Sequence, residues 1–167
     1  MTWLGSQSDT VFIGQAVASP GTSMTGTLID VPDNKKIEMP VSEEMQMGIT
    51  IGMAVDGSVP VSIYPRWNFL ILAANQLLSH LDKYYLMSDG GINPIVAIRC
   101  AIPTDEPLDP GHQHKADYTD AFDSMLDHVN VVRLIESDQI VEEYLKILQP
   151  EAKPTIFVEY IKYYEEK

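Results

Sequence analysis

Short, continuous apolar runs alternate with helical patterns along most of this chain, and that alternation constrains its fold more than any other feature. Residues 94–100 form a strand-like run that is apolar except for Arg99, of the kind found in strands buried on both faces of a parallel sheet. Similar strand-like runs occupy residues 10–17, 36–39, 59–64, 129–136 and 155–160, and helical patterns cover 42–56, 68–85, 120–128 and 137–148. The alternation predicts an α/β fold with a mainly parallel sheet and helices on both faces.

Length and charge narrow the class of protein further. The chain has 167 residues and a formal net charge of −13, which predicts one domain over residues 1–167 and argues against binding to nucleic acid or to anionic membranes. No apolar run approaches the roughly 20 residues needed to cross a bilayer. Secretion and transit signals contain basic residues, and no basic residue precedes Lys35. We therefore expect a cytoplasmic protein. A single cysteine, Cys100, excludes an internal disulfide.

The helix predicted over residues 42–56 begins with a clear terminal signal. Ser42 is a candidate cap, and Glu43 and Glu44 place negative charge in the first turn, where the helix dipole favours it. Gly48 and Gly52 are four residues apart and therefore lie on one face. We expect that face to pack closely against another backbone.

In an open α/β sheet, ligands bind at the carboxyl ends of the strands. Four segments are placed there: the loop after residue 17, the helix entrance at 40–44, the segment 65–69 and the histidine-containing loop at 103–115. The chain has neither a P-loop nor a G-x-G-x-x-G motif after a strand. We therefore do not expect it to hold a nucleotide by itself.

Two histidines in the loop at 103–115 raise the possibility of a metal site. His112 and His114 lie two residues apart, with Asp109 and Asp117 nearby, so a zinc site is conceivable. Such spacing is common in polar loops, and a solvated loop is the simpler interpretation. We assign no metal-binding residue to this chain.

Pattern reasoning by itself also gives plain interpretations for other residues near these segments. Glu43 would be a surface carboxylate that complements the helix dipole, and Phe69 would be the first core residue of its helix. Met45, Met47 and Met53 would fill the core.

A resemblance changes the weight of these interpretations. The segment EMPVSEEMQMGITIGMAVDGSVPV resembles the DTPISE, GIAVGAA and G-x-RP motifs in the β subunits of thiamine-diphosphate-dependent 2-oxo acid dehydrogenases. WNFLILAANQLLSHLDKYYLMSDGGINPIVAIR is similar to that family's NF, AxDQ, Y-x-SGG and P-x-V-x-R pattern, and GHQHKADYTDAF is similar to its QHSQ loop. The resemblance extends from about residue 11 to residue 159. It implies a transketolase-like pyrimidine-binding domain, with the corresponding thiamine diphosphate pyrimidine-binding fold.

The resemblance also implies roles for three residues. Glu43 takes the position of the PISE glutamate, which bonds a pyrimidine nitrogen of thiamine diphosphate and promotes the tautomer that deprotonates thiazolium C2. Phe69 takes the position of the aromatic residue that stacks on the pyrimidine. His114 takes the position of the QHSQ histidine, a proton donor near the reacting carbonyl. Glu43 and His114 are thus the implied catalytic residues, and Glu43 and Phe69 the implied cofactor-binding residues.

The chain departs from the family pattern in several places. Ala16 stands where an acidic residue is usual, and Asn75 and Asp82 replace the usual Asp and Ala of the long helix. The family's usual carboxyl-terminal domain is absent from residues 1–167. No Gly-Asp-Gly motif with a downstream Asn is present, so we expect Mg²⁺ and the diphosphate to be held by a partner subunit.

The sequence therefore predicts the pyrimidine-domain subunit of a split thiamine-diphosphate enzyme, inactive by itself. Its partner would be a diphosphate-binding, α-type subunit, in a heterotetramer, or the chain would form a homodimer. The expected reaction is decarboxylation of a 2-oxo acid and acyl transfer. Transketolase-type ketol transfer and a noncatalytic assembly or regulatory module remain alternatives.

Overall fold

The computed structural model describes residues 1–19, 21–105 and 109–164. Their sheet has six strands, all parallel, in the order β2-β1-β3-β4-β6-β5. The strands are β1 (Thr10–Gly14), β2 (Lys36–Glu38), β3 (Val59–Tyr64), β4 (Ala97–Ile102), β5 (Asn130–Leu134) and β6 (Thr155–Tyr160). Each corresponds to a predicted strand, although several are shorter.

Helices connect the strands across the sheet. The α-helices are α1 (Thr2–Gly5), α2 (Ser23–Gly26), α3 (Glu43–Val55), α4 (Trp67–Leu70), α5 (Tyr84–Met87), α6 (Thr119–Met125) and α7 (Ser137–Lys146). Short 3₁₀ turns lie at Asp33–Lys35, Ile71–Ala73, His112–His114 and Ile161–Tyr163. None of the described helices is long and apolar enough to cross a membrane.

Two hydrophobic cores lie on opposite faces of the sheet. The first packs α3, the segment from α4 onward and α6 against one face, with Trp67 near its centre against Phe122 at 5.0 Å between ring centroids. The second packs α1, α2 and α7 against the other face, where Tyr144 stacks on Phe157 at 4.1 Å. Helices therefore cover both faces, and the predicted α/β class is confirmed.

The long helix predicted over residues 68–85 is irregular. After α4 and a 3₁₀ turn it widens into a π-helix at Gln76–Leu81, where the Asp82 N–H bonds the Leu77 carbonyl at 2.9 Å. Leu81 and Asp82 are both fully buried. A regular α-helix turns adjacent residues about 100° apart, so the wider turn helps to direct both inward. Asp82 accepts the backbone N–H groups of Asp127, His128 and Val129.

Helix α3 follows the prediction at its ends but not on its outer face. Ser42 occupies the cap position, yet its side chain makes no capping hydrogen bond. Gly48 and Gly52 are exposed, and no atom lies within 4 Å of where their Cβ atoms would be. The expected close packing of the glycine face is thus not made within this chain. Met45, expected in the core, is 43% exposed on the same side, whereas Met47 is fully buried as expected.

On the face covered by α7, a buried ion pair joins two neighbouring strands. Arg99 of β4 donates from Nε and Nη2 to the two carboxylate oxygens of Glu159 in β6, at 2.6 and 2.7 Å. The hydroxyl of Tyr144 donates to Oε1 at 2.7 Å, and that of Tyr164 donates to Oε2. Thr27 accepts a further bond from Arg99 at 3.0 Å. We call these five residues the Glu159 cluster.

Candidate functional site

The carboxyl ends of β1, β3 and β4 meet at one edge near the middle of the sheet. After β1 the chain crosses to β2 on one side, and after β2 it returns to β3 on the other side. Such a reversal leaves a crevice outside the strand ends, which is where ligands bind in this class of sheet. All four segments that the sequence places at ligand-binding positions begin at this edge.

Glu43 is positioned by the first turn of α3, which directs its carboxylate toward the end of β1. The residue is 5% exposed. Its Oε1 accepts a hydrogen bond from Gln15 Nε2 at 3.1 Å, and its backbone carbonyl accepts one from the Tyr64 hydroxyl at 3.3 Å. Among the described residues no group donates to Glu43 Oε2. We call Gln15, Glu43 and Tyr64 the Glu43 cluster, and it leaves one carboxylate oxygen available to a ligand.

A second carboxylate organises the loop that carries Gln15. Glu38, the last residue of β2, accepts four consecutive backbone N–H groups, those of residues 16–19, at 2.5 to 3.3 Å. Ala16 has φ 53°, a left-handed conformation that a non-glycine residue rarely adopts. Thr25 Oγ1 bonds the Ala16 carbonyl at 2.6 Å. Glu38 and Thr25 therefore hold this turn in place and fix the position of Gln15 against Glu43.

One glycine is required for the approach of β1 to β3. A Cβ on Gly14 would lie 2.6 Å from the backbone oxygen of Ile63, which is too close for any side chain. The absence of a Cβ lets the end of β1 pack directly against β3. Gln15, the next residue, is thereby brought beside the carboxyl end of β3 and the start of α3.

The segment after β3 and the histidine-containing loop form a second group of side chains, the Phe69 cluster. It consists of Arg66, Asn68, Phe69 and His114, and all four are half-buried. The Phe69 and His114 rings lie 6.0 Å apart, and Arg66 Cζ lies 6.0 Å from the Phe69 ring centroid. The structure thus brings the predicted residues Phe69 and His114 together. No described hydrogen bond or ring contact links them directly to Glu43.

The hydrogen bonds of His114 indicate its tautomer. Nδ1 lies 3.1 Å from Asn68 Oδ1, a carbonyl oxygen that can only accept, so Nδ1 carries the proton. Nε2 lies 3.2 Å from Gln113 Nε2, an amide donor, so it is the accepting nitrogen. Asn68 therefore orients the imidazole with a basic nitrogen directed away from α4.

The metal interpretation of the histidine-containing loop finds no support in the geometry. Asp109 accepts the Gly111 N–H at 2.7 Å and the Lys115 ammonium at 2.8 Å, and the backbone N–H and hydroxyl of Thr119 donate to Asp117. Within the part of the chain that the structure describes, no three His, Cys, Asp or Glu side chains are arranged to hold a metal ion.

The residues present fit the pyrimidine half of thiamine diphosphate. A buried carboxylate with one oxygen that accepts no hydrogen bond from the described residues can bond a ring nitrogen, and a half-buried phenylalanine at the same edge offers an aromatic face. The described residues offer no equivalent set for Mg²⁺. The roles of Glu43, Phe69 and His114 remain predictions.

Sequence reasoning missed the residues that support this site. Gln15 and Glu38 act through contacts 28 and 19 to 22 residues away in sequence, which no local pattern reveals. A weak signal existed for each, because both were predicted to lie at strands that end at the ligand-binding edge. Asn68 had a stronger signal as the residue directly before Phe69.

Comparison with known proteins gives results consistent with this geometry. No family model matches the chain. The pyruvate dehydrogenase E1 component subunit beta of Cyanidium caldarium is 25% identical over 169 residues, covering 98% of this chain and 50% of that protein. The mitochondrial subunits of Drosophila melanogaster and Homo sapiens are each 35% identical over 38% of this chain. The matched segments make up 18% and 17% of those two proteins.

A solved structure described as "Split gene transketolase, inactive beta4 tetramer" has the same fold. Its TM-score is 0.65 at 17% identity, over 95% of this chain and 47% of that one. The chain thus spans about half the length of the longest sequence match and of this structure. The predicted resemblance is confirmed: the chain is homologous to E1 β subunits of pyruvate dehydrogenase, and it has the fold of the split transketolase chain.

Proposed function

We propose that this chain is the pyrimidine-domain subunit of a split thiamine-diphosphate enzyme that acts on a 2-oxo acid. The observation that carries the proposal is Glu43, a buried carboxylate at the ligand-binding edge with one oxygen free of described donors. Homology to E1 β subunits supports the same cofactor class. Bound thiamine diphosphate would supply a nucleophilic thiazolium carbon for attack on the 2-oxo carbonyl.

The chain's own residues would bind and polarise the pyrimidine ring. Glu43 would hydrogen-bond a ring nitrogen and exchange a proton with it, and its burial would keep water from competing for that bond. Gln15 holds Oε1 by an uncharged amide and thereby leaves the carboxylate charge for the ligand. Phe69 would offer its ring to the flat face of the pyrimidine, and His114 would accept and return a proton at Nε2.

The proposal includes partners. An α-type subunit would supply the diphosphate and Mg²⁺ site, and the split transketolase tetramer is a precedent for a separate β chain of this fold. The exposed face of α3, with Met45, Gly48, Ile49 and Gly52, is the surface through which we expect the chain to associate. The glycines permit a second helix to approach closely there.

The test is hydrogen–deuterium exchange at thiazolium C2 in the complex reconstituted with the partner that co-purifies with this chain. Glu43→Gln retains size and hydrogen-bonding capacity but removes the acid–base group. We expect cofactor binding, measured by calorimetry, to survive. Exchange should slow by roughly two to four orders of magnitude, the scale for loss of a positioned acid–base group.

Glu44 provides the matched control because it is the next residue of α3 and is exposed. Glu44→Gln should exchange like the unmodified chain, since adjacent helical residues point about 100° apart. Equal rates for Glu43→Gln and the unmodified complex would contradict the proposal. Turnover with a ketose phosphate instead of pyruvate would leave the site assignment intact but replace 2-oxo acid chemistry by ketol transfer.

A further inference from the structure

Two of the three arginines in this acidic chain form ion pairs with carboxylates of the chain itself. Arg99 is bound by Glu159 inside the sheet, and Arg133 pairs with Asp120 at 2.7 Å. Arg66 is different. Among the described residues no carboxylate lies within ion-pair distance of it, and its recorded side-chain contact is with the ring of Phe69.

The lysines that follow the carboxyl ends of the strands are also occupied. The Lys115 ammonium, in the loop after β4, bonds both Asp105 and Asp109. Lys162, after β6, lies over the rings of Tyr160 and Tyr163, at 5.7 and 4.6 Å from their centroids. At the edge where the site lies, Arg66 is therefore the described arginine whose charge is not neutralised by the chain itself.

Arg66 also lines a cavity beside the Phe69 cluster. The cavity has a volume of about 390 Å³, within the range of small-ligand sites. Its walls are formed by the loop and helix after β1, by Pro65 and Arg66 after β3, and by parts of the loop after β4 that include Pro103, Thr104 and Pro110. Arg66 belongs both to this cavity and to the Phe69 cluster, so a molecule held here would lie next to the proposed reaction site.

We propose that Arg66 binds the anionic group of the substrate, a carboxylate or a phosphate, in this cavity. The inference rests on the proposed function, because it places the substrate beside the cofactor-binding residues. A chain with a net charge of −13 repels an anionic substrate unless a local cation compensates. A guanidinium is always charged, and its planar fork of donors matches the oxygens of carboxylate and phosphate groups.

The first test is kinetic and uses the reconstituted complex with pyruvate and its uncharged methyl ester. Arg66→Gln should raise the KM for pyruvate by about 10- to 100-fold, the scale for loss of a hydrogen bond to a charged group. The methyl ester should be affected less than threefold. Thiazolium C2 exchange should remain unchanged, because Arg66 acts on the substrate. Arg133→Gln is the control. Arg133 lies in the edge strand β5, so its replacement should change neither KM.

Several kinetic outcomes would overturn the inference. The inference fails if Arg66→Gln leaves the KM unchanged both for pyruvate and for fructose 6-phosphate, a substrate that carries a phosphate. It also fails if the KM for the methyl ester rises as much as the KM for pyruvate. Slower C2 exchange in Arg66→Gln would assign Arg66 to the cofactor instead. If Glu43→Gln slows exchange while Arg66→Gln alters no KM, this inference fails and the proposed function stands. If Glu43→Gln has no effect, the proposed function fails first.

A direct binding measurement separates the two anion sources. Because the chain has three arginines, its arginine Nε–H groups give three ¹⁵N NMR signals, and loss of one signal in Arg66→Gln assigns that of Arg66. Titration with pyruvate or with inorganic phosphate should shift this signal saturably, whereas methyl pyruvate should not. A larger response to pyruvate supports a carboxylate site, and a larger response to phosphate supports a phosphate site. No saturable shift with either anion overturns the inference.

Discussion

Glu43 and Glu159 are buried to nearly the same degree, at 5% and 7% exposure, but their surroundings differ completely. Glu159 is bound at both oxygens by Arg99 and by two tyrosine hydroxyls. Glu43 receives one bond from the uncharged amide of Gln15. We call Glu159 the closed carboxylate, because groups of the same chain donate to both of its oxygens. We call Glu43 the open carboxylate, because one of its oxygens has no donor among the described residues.

The closed carboxylate has the electrostatics of a structural ion pair. Burial by itself would raise the pKa of Glu159, but the adjacent Arg99 guanidinium holds that pKa below its usual range. Burial raises the pKa of Tyr144, so its hydroxyl remains a donor. The cluster is therefore fixed in one protonation state around neutral pH, which suits it to holding β4 and β6 together and leaves no group free for catalysis.

The comparison shows that burial of an acidic residue is by itself a poor guide to function. What distinguishes Glu43 is that it is buried with no charged partner among residues 1–19, 21–105 and 109–164. A buried polar group usually has hydrogen-bond partners, so a ligand with a donor would complete the Glu43 carboxylate. Residues kept incomplete by their own chain are the stronger candidates for a site.

The largest expected effect breaks the closed cluster. Glu159→Gln leaves Arg99 buried without a counter-charge, so we expect the free energy of unfolding to fall by about 3–5 kcal/mol. Glu43→Gln should lose less than about 1 kcal/mol, because no charged partner is stranded. Urea unfolding of both variants measures the difference. Equal losses in the free energy of unfolding would show that the two carboxylates contribute equally to stability.

A third buried carboxylate extends the comparison to pH. Asp82 is fully buried, and although burial raises its pKa, Lys83 and three backbone N–H groups hold that pKa below the usual value. The contribution of Asp82 to the free energy of unfolding is complete above its pKa in the unfolded chain, about 3.9. That contribution is lost as the pH falls through the lower pKa of the folded state. Asp82→Asn should cost about 2 kcal/mol at pH 7 and should flatten the loss of stability below about pH 4. Thermal unfolding between pH 7 and 3 measures this, and parallel curves would refute it.

A smaller effect concerns the support of the open carboxylate. Glu38→Gln weakens the bonds to the N–H groups of residues 16–19 and should cost about 1–2 kcal/mol, reduced by the exposure of Glu38. Amide hydrogen exchange in residues 16–19 should accelerate, and the Gln15 contact with Glu43 should loosen. Glu136→Gln, in an exposed residue before α7, is the control. Unchanged protection of these amides would show that the loop holds its shape without Glu38.

The smallest effect is stabilising and lies in the helix that carries Glu43. Gly48→Ala and Gly52→Ala meet no atom within 4 Å, so each should raise the stability of the isolated chain by about 1 kcal/mol through helix propensity. The same changes should weaken association if α3 is the contact surface, which sedimentation measures. Loss of stability in either variant would contradict the exposed placement of this face.

The fold and the helix start that carries Glu43 could be predicted because both follow from local signals, whereas the burial of Glu43, which pattern reasoning by itself placed at the surface, could not. Apolar runs specify the strands, and the acidic first turn of α3 marks a helix start at the end of a strand. The irregular helix at Gln76–Leu81 could not be predicted, because its wide turn depends on where the Asp82 carboxylate finds partners 45 residues away. Gln15, Glu38 and the exposed glycine face likewise depend on long-range packing that no local pattern encodes.

The position of Trp67 gives the chain a natural optical reporter. Its two tryptophans differ sharply, since Trp3 is 46% exposed and Trp67 is 1% exposed, two residues before Phe69. Trp3→Phe therefore leaves one tryptophan, which lies in the first hydrophobic core two residues before Phe69 of the candidate site. Its emission reports on α4 without any added dye. Ligand and partner affinities can thus be measured from the fluorescence of the chain itself, without an activity assay.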